Sequence, residues 1–206
     1  MDWIHLAAFL PAALALNLTP GADMLFCLAA GARGGARQAA LAAAGISTGV
    51  LIHAALAGLG LGAVIARAPW AFDAIRWAGC GYLLWLAWRT LRRPLAAHGT
   101  GQGTGHGGGR PFRDGLVVNL SNPKVILFIL ALLPQFADPA WPVLPQFLIF
   151  GAVLAAGGFA VNATVGAASG RVAGTLARRP GVERGLRIGT AGVFGALALK
   201  LALERR

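Results

Sequence analysis

The chain has 206 residues, 57% of them hydrophobic and only 12% charged, with 18 Lys and Arg against 7 Asp and Glu for a formal net charge of +11. A soluble domain carries about 25% charged residues, so a water-facing globule is excluded. The absence of a GxxxxGK[ST] loop also excludes a pump that hydrolyses nucleotide by itself.

Apolar runs of about 18 residues or more with almost no charge read as membrane-spanning helices. Six such spans are expected, at about 3–31, 38–66, 71–91, 114–136, 145–169 and 186–203, within one transmembrane domain covering 1–206. The start, Met1-Asp2-Trp3, lacks the basic n-region of a signal peptide, so the first run is expected to be retained as a helix. That span is interrupted by Asn17-Leu18-Thr19-Pro20-Gly21-Ala22-Asp23. The second contains His53 and two glycine groups, Gly45/Gly49 and Gly58/Gly60/Gly62, which suit close helix packing. Tyr82 lies in the third. Cys27 and Cys80 sit far apart in apolar surroundings with no CxxC or metal-ligand spacing, and read as small buried hydrophobes.

The segment 94–111 is rich in glycine and contains His98 and His106; it reads as a flexible cytoplasmic linker with no preorganised metal site. The fourth span is interrupted by Asn119-Leu120-Ser121-Asn122-Pro123-Lys124. The fifth carries Asn162 and the packing glycines Gly166, Gly170 and Gly174. Trp3, Trp70, Trp88 and Trp141 fall near span ends, where indole rings favour the headgroup layer.

Twelve of the 18 basic residues lie in every second loop: Arg33 and Arg37; Arg89, Arg92, Arg93, Arg110 and Arg113; Arg171, Arg178, Arg179, Arg184 and Arg187. This is the positive-inside pattern, which places these loops in the cytoplasm and both termini outside. No base-stacking or groove-reading motif accompanies the arginines, so no nucleic-acid partner is expected. A shift of 102 positions lays Asn17-Leu18-Thr19 on Asn119-Leu120-Ser121, and Leu25-Phe26 on Leu127-Phe128. Three spans on each side of the linker would enter the membrane in opposite senses. The expected fold is therefore an all-α membrane protein of two inverted three-helix repeats, with helices 1 and 4 broken.

Proline inside a helix lacks an amide hydrogen and crowds the carbonyl four residues earlier. Pro20 should free the carbonyl of Leu16, and Pro123 that of Asn119. Backbone left unsatisfied cannot face lipid, so these breaks must face protein or a wet cavity. Asp23 and Lys124 are the charges deepest in the spans, each about 15 Å from its cytoplasmic end at 1.5 Å per residue. A charge at mid-bilayer costs about 2.5–3.5 kcal/mol or more, so the two are expected to meet. They would form either a structural ion pair or a site for a zwitterion, with Asp23 also a candidate proton carrier. The site candidates are Asp23, Lys124, Asn17, Thr19, Pro20, Gly21, Asn119, Ser121, Asn122 and Pro123. His53, Tyr82 and Asn162 are secondary, as cavity-lining side chains.

These motifs resemble the LysE/RhtB family of amino-acid exporters. Its first-span Asn-x-Thr-Pro-Gly-Pro-Asp is matched by Asn17 to Asp23, with Ala22 in place of a proline, and its Asn-Pro-Lys by Asn122, Pro123 and Lys124. Gly45 to Ala63, Trp77 to Leu86 and Phe128 to Phe136 extend the resemblance over nearly the whole chain. It implies efflux of amino acids or related metabolites from the bacterial cytoplasm, driven by the proton motive force, with no cofactor and no enzymatic activity. The alternatives are export of a metal cation or other small ion, and a membrane redox relay through Cys27 and Cys80. The sequence leaves the exported amino acid and the oligomeric state open, a homo-oligomer included.

Overall fold

In the computed structural model, described for residues 3–67, 69–92, 110–138, 140–169 and 180–203, every regular element is a helix. These are α1 (Trp3–Leu18), α2 (Ala22–Arg67), α3 (Pro69–Arg92), α4 (Pro111–Leu120), α5 (Pro123–Phe136), α6 (Val143–Ala167) and α7 (Pro180–Leu203). The glycine-rich linker 94–111 and its two histidines lie outside the described residues, apart from Arg110 and Pro111, the latter opening α4.

At 1.5 Å per residue a straight 46-residue α2 would be about 69 Å long, more than twice the hydrocarbon core of about 30 Å. It is not straight. Gly34 and Gly35 leave helical geometry, and Gly35 takes φ +70, a conformation that glycine alone adopts without penalty. The chain reverses there. Cys27 and Ile46, about 28 Å apart along a straight helix, share one buried cluster with Ala30, Ala42 and Ala43. Cys27 and Ala39 both reach Gly166 of α6. The arms of α2, 22–33 and 36–67, therefore run back against each other, with the turn near the loop expected from sequence.

The 36–67 arm packs on α4 and α6 through glycines. A Cβ on Gly45 would strike the carbonyl of Phe112, one on Gly115 the carbonyl of Ala42, and one on Gly151 the methyl of Ala54. On the far side α3 packs on α7 and α5. The central core is aromatic: Phe9 meets Phe136 edge-on at 5.5 Å and Phe150 at 5.0 Å. His5 Nδ1 lies 2.9 Å from the carbonyl of Phe136, which fixes the start of α1 beside the end of α5. There buried Gln146 closes the turn into α6, donating to the carbonyls of Asp138 and Trp141 and accepting from the Asp138 amide.

The molecule is an all-α membrane protein. Among the described residues, Val143–Ala167 is long and apolar enough to cross a bilayer, as by length and composition is Ala22–Gly60, which holds the Gly34–Gly35 turn, and α4 with α5, bent by 57°, adds a third if taken as one span. Leu14, Leu56, Leu59, Leu84 and Leu199 are all more than half exposed on its flanks, an outer surface suited to lipid. Arg33, Arg37, Arg110 and Arg113 are exposed at the end that carries the Gly34–Gly35 turn and the start of α4. At the end of α3 the Arg92 guanidinium lies 4.8 Å over the Trp88 ring, a cation held against an aromatic face.

Candidate functional site

Both interruptions are real breaks, and they fall in the same register. α1 stops at Leu18 and α4 at Leu120, the 102-residue offset of the sequence alignment. At the first break α2 restarts at Ala22 with Asp23 in its first turn, where the helix dipole favours an anion. At the second, Asn122 caps α5: its Oδ1 accepts from the Lys124 amide at 3.1 Å, with Pro123 in the first helical position. That amide is engaged, so the one following Pro123 is not open to a ligand carboxylate.

Each charge serves the break of the other half. Lys124 Nζ donates to the carbonyls of Leu16, 3.0 Å, and Thr19, 2.6 Å, at the end of α1. The carbonyl that Pro20 leaves without its usual partner is thus met by a cation, at the helix end where a cation is favoured. Asp23 accepts from Asn119 Nδ2, 2.9 Å to Oδ2, and from Asn122 Nδ2, 3.0 Å to Oδ1. Among the described residues no ion pair joins Asp23 and Lys124; they are cross-linked through the breaks. Such charge-assisted hydrogen bonds are about twice as strong as neutral ones.

The carbonyl opposite Pro123, that of Asn119, accepts from the Asn122 amide at 2.9 Å and lies 3.3 Å from His53 Nε2, which must be the donor because a carbonyl only accepts. His53 therefore supports the break from behind and does not line the cavity. Asn119 Oδ1 has no partner among the described residues and rests against Gly49. The matching Asn17 donates to the Leu154 carbonyl at 3.2 Å and seats against Gly157 and Gly158. Thr19 bonds back to the Ala15 carbonyl at 2.5 Å.

A cavity of about 30 Å³ lies where the breaks meet. Asn17, Thr19, Gly21, Asp23, Asn122, Lys124 and Asn162 line it, together with Ser47 and Gly158 and an apolar wall that includes Ile46, Val50 and Leu154. Of the remaining candidates, Pro20, Asn119 and Pro123 shape the breaks without lining the cavity. Ser121 is an exposed cap residue of α4. Tyr82 lies away on α3 with its ring stacked on Trp85 at 5.6 Å. Sequence reasoning missed Ser47, whose hydroxyl donates to the Ala155 carbonyl at 3.0 Å, and also Gly158. A serine and a glycine amid small residues carry no signal of their own. Their role appears only when α2 and α6 cross.

Cys27 and Cys80 are free and buried in separate clusters, the Cys80 thiol 3.4 Å from the Ala198 carbonyl. Among the described residues no three His, Cys, Asp or Glu side chains gather in a set that could hold a metal.

A family model described as LysE type translocator matches residues 14–205. Over 147 residues, 70% of each chain, the sequence is 40% identical to a homoserine/homoserine lactone efflux protein of Salmonella typhi. It is 32% identical over 195 residues to an uncharacterized membrane protein of Pseudomonas aeruginosa, 90% of this chain and 88% of that one. A leucine efflux protein of Enterobacter sp. is 36% identical over 129 residues, 59% of this chain and 58% of that one. No solved structure matches.

Proposed function

The chain belongs to the LysE type translocator family, whose members are transporters and not enzymes, and from that premise we propose that it exports amino acids from the bacterial cytoplasm through the cavity between the two helix breaks. The observation that carries this reading is the placement of one carboxylate and one ammonium on a single polar cavity, each held by groups that a zwitterion could replace. A substrate ammonium offers Asp23 the donors now given by Asn119 and Asn122. A substrate carboxylate offers Lys124 the acceptors now given by Leu16 and Thr19. Relatives named for efflux of homoserine, leucine and threonine agree in chemical class.

A water needs about 10–15 Å³ of such space, so the cavity has room for about two waters and not for an amino acid. Binding must widen the site, and widening at two breaks is how one half would rock against the other in alternating access. Six spans as two inverted repeats follow from pairing α1 with 22–33 and α4 with α5. The matched ends at Leu18 and Leu120 support that pairing. Coupling to the proton motive force would use Asp23, the carboxylate at the cavity, as the proton carrier.

The test is efflux from preloaded right-side-out vesicles. Asp23→Asn and Lys124→Ala should each cut export at least about tenfold, the loss of one charge-assisted bond of about 1.5–3 kcal/mol, and a protonophore should stop export by the parent. Normally inserted variants that export at the parental rate would refute the site, and export indifferent to the protonophore would refute the coupling.

A further inference from the structure

The two glycines that receive the break asparagines are each followed four residues later by a polar side chain. Gly49 faces Asn119 and is followed by His53; Gly158 faces Asn17 and is followed by Asn162. The positions match, but their occupants do different work. His53 spends its ring on the Asn119 carbonyl. The corresponding carbonyls of the first break, those of Leu16 and Thr19, are already taken by Lys124, which leaves Asn162 nothing to cap. Asn162 is only 6% exposed, lines the cavity and makes no side-chain hydrogen bond with any described residue. Its amide atoms are not among the sealed polar atoms left without a partner; they stay open to the cavity, where a ligand can reach them.

We infer that Asn162 is the specificity-determining residue of the site, receiving the side chain of an amino-acid substrate that ends in a hydroxyl or carboxamide. The inference rests on the exporter reading. The ammonium and carboxylate common to all amino acids are provided for by Asp23 and Lys124. Asn17 and Ser47 have each committed a donor to α6, to the carbonyls of Leu154 and Ala155. What remains is an apolar wall of Met24, Ile46, Val50, Val125 and Leu154, with Asn162 as the one uncommitted side chain that both donates and accepts. A hydroxyl can bond either half of that amide, whereas a methyl of the same size covers it and returns no hydrogen bond.

Isosteric pairs isolate this difference: threonine against valine, and homoserine against norvaline. Transport of each is measured in proteoliposomes of the parent, Asn162→Leu and Asn162→Ala, with the Ala variant guarding against misfolding of the bulkier Leu variant. The parent should prefer the hydroxyl member of each pair. Either variant should lose about tenfold of that preference, the worth of one hydrogen bond, while valine and norvaline transport persists or rises. If the variants move valine normally and keep the parental ratios, the assignment to Asn162 is wrong and the exporter reading stands. If threonine and valine transport fall together by the same factor, Asn162 is structural and the assignment is again wrong. If the parent transports none of the four amino acids, the assignment to Asn162 is wrong, and the exporter reading is decided separately by efflux from the Asp23→Asn and Lys124→Ala vesicles.

Discussion

Lys124 and Asp23 each answer two needs at once, and the needs differ enough to separate by substitution. Lys124 holds two carbonyls at the end of α1, 3.0 and 2.6 Å away. Removing its ammonium strips Thr19's carbonyl of that donor and leaves Leu16's with only the Thr19 amide at 3.3 Å, where lipid cannot make up the loss. Asp23 accepts two side-chain amides, and replacement by asparagine removes the charge but keeps one acceptor oxygen. In a thermal melt of the detergent-solubilised protein, Lys124→Met should therefore destabilise by about 2–4 kcal/mol and Asp23→Asn by about half as much, on the scale of charge-assisted bonds. Export should fall in both. Variants that melt early yet export at the parental rate would make the charges a structural lock only.

At the scale of elements, close helix contact decides which glycines can change. A Cβ on Gly45 would fall on the backbone carbonyl of Phe112, which cannot swing away, whereas one on Gly60 meets nothing. Gly45→Ala should therefore cost about 1–3 kcal/mol by overpacking. Gly60→Ala should be neutral or gain up to about 1 kcal/mol from helix propensity. Gly35→Ala should cost about 1 kcal/mol because the turn needs its positive φ. The same thermal melt ranks all three; a Gly45→Ala protein as stable as the parent would contradict the packing described for α2 on α4. Sequence reading located both breaks because proline acts on its own backbone, and it named the Leu16 and Asn119 carbonyls at risk for the same local reason. The donors that answer those carbonyls were not legible. Lys124 lies 108 positions from Leu16 and His53 66 from Asn119, so only the folded chain brings them together. The direct meeting of Asp23 with Lys124 was expected from depth alone, and depth carries no information on which helix end each side chain faces.

For the whole molecule, the two ends differ in charge, and the expectation that follows concerns how the protein is oriented in the membrane. The end holding the Gly34–Gly35 turn exposes Arg33, Arg37, Arg110 and Arg113, while the turn after α5 has Asp138 and no basic residue. Basic loops are favoured on the cytoplasmic side, so the expected orientation has the former end inside and the start of α1, held beside Phe136 by His5, outside. Cys27 and Cys80 are buried and unpaired, so a cysteine-free background is accessible through Cys27→Ala and Cys80→Ala. On that background Ala36→Cys and Ala140→Cys place single thiols at exposed positions near the two ends. In intact cells a membrane-impermeant maleimide should label Ala140→Cys and spare Ala36→Cys; in inverted vesicles the preference should reverse. The opposite labelling would turn the protein over, with the basic end facing outward and both termini in the cytoplasm. An exporter built on it would then have to load substrate from the end that carries Asp138.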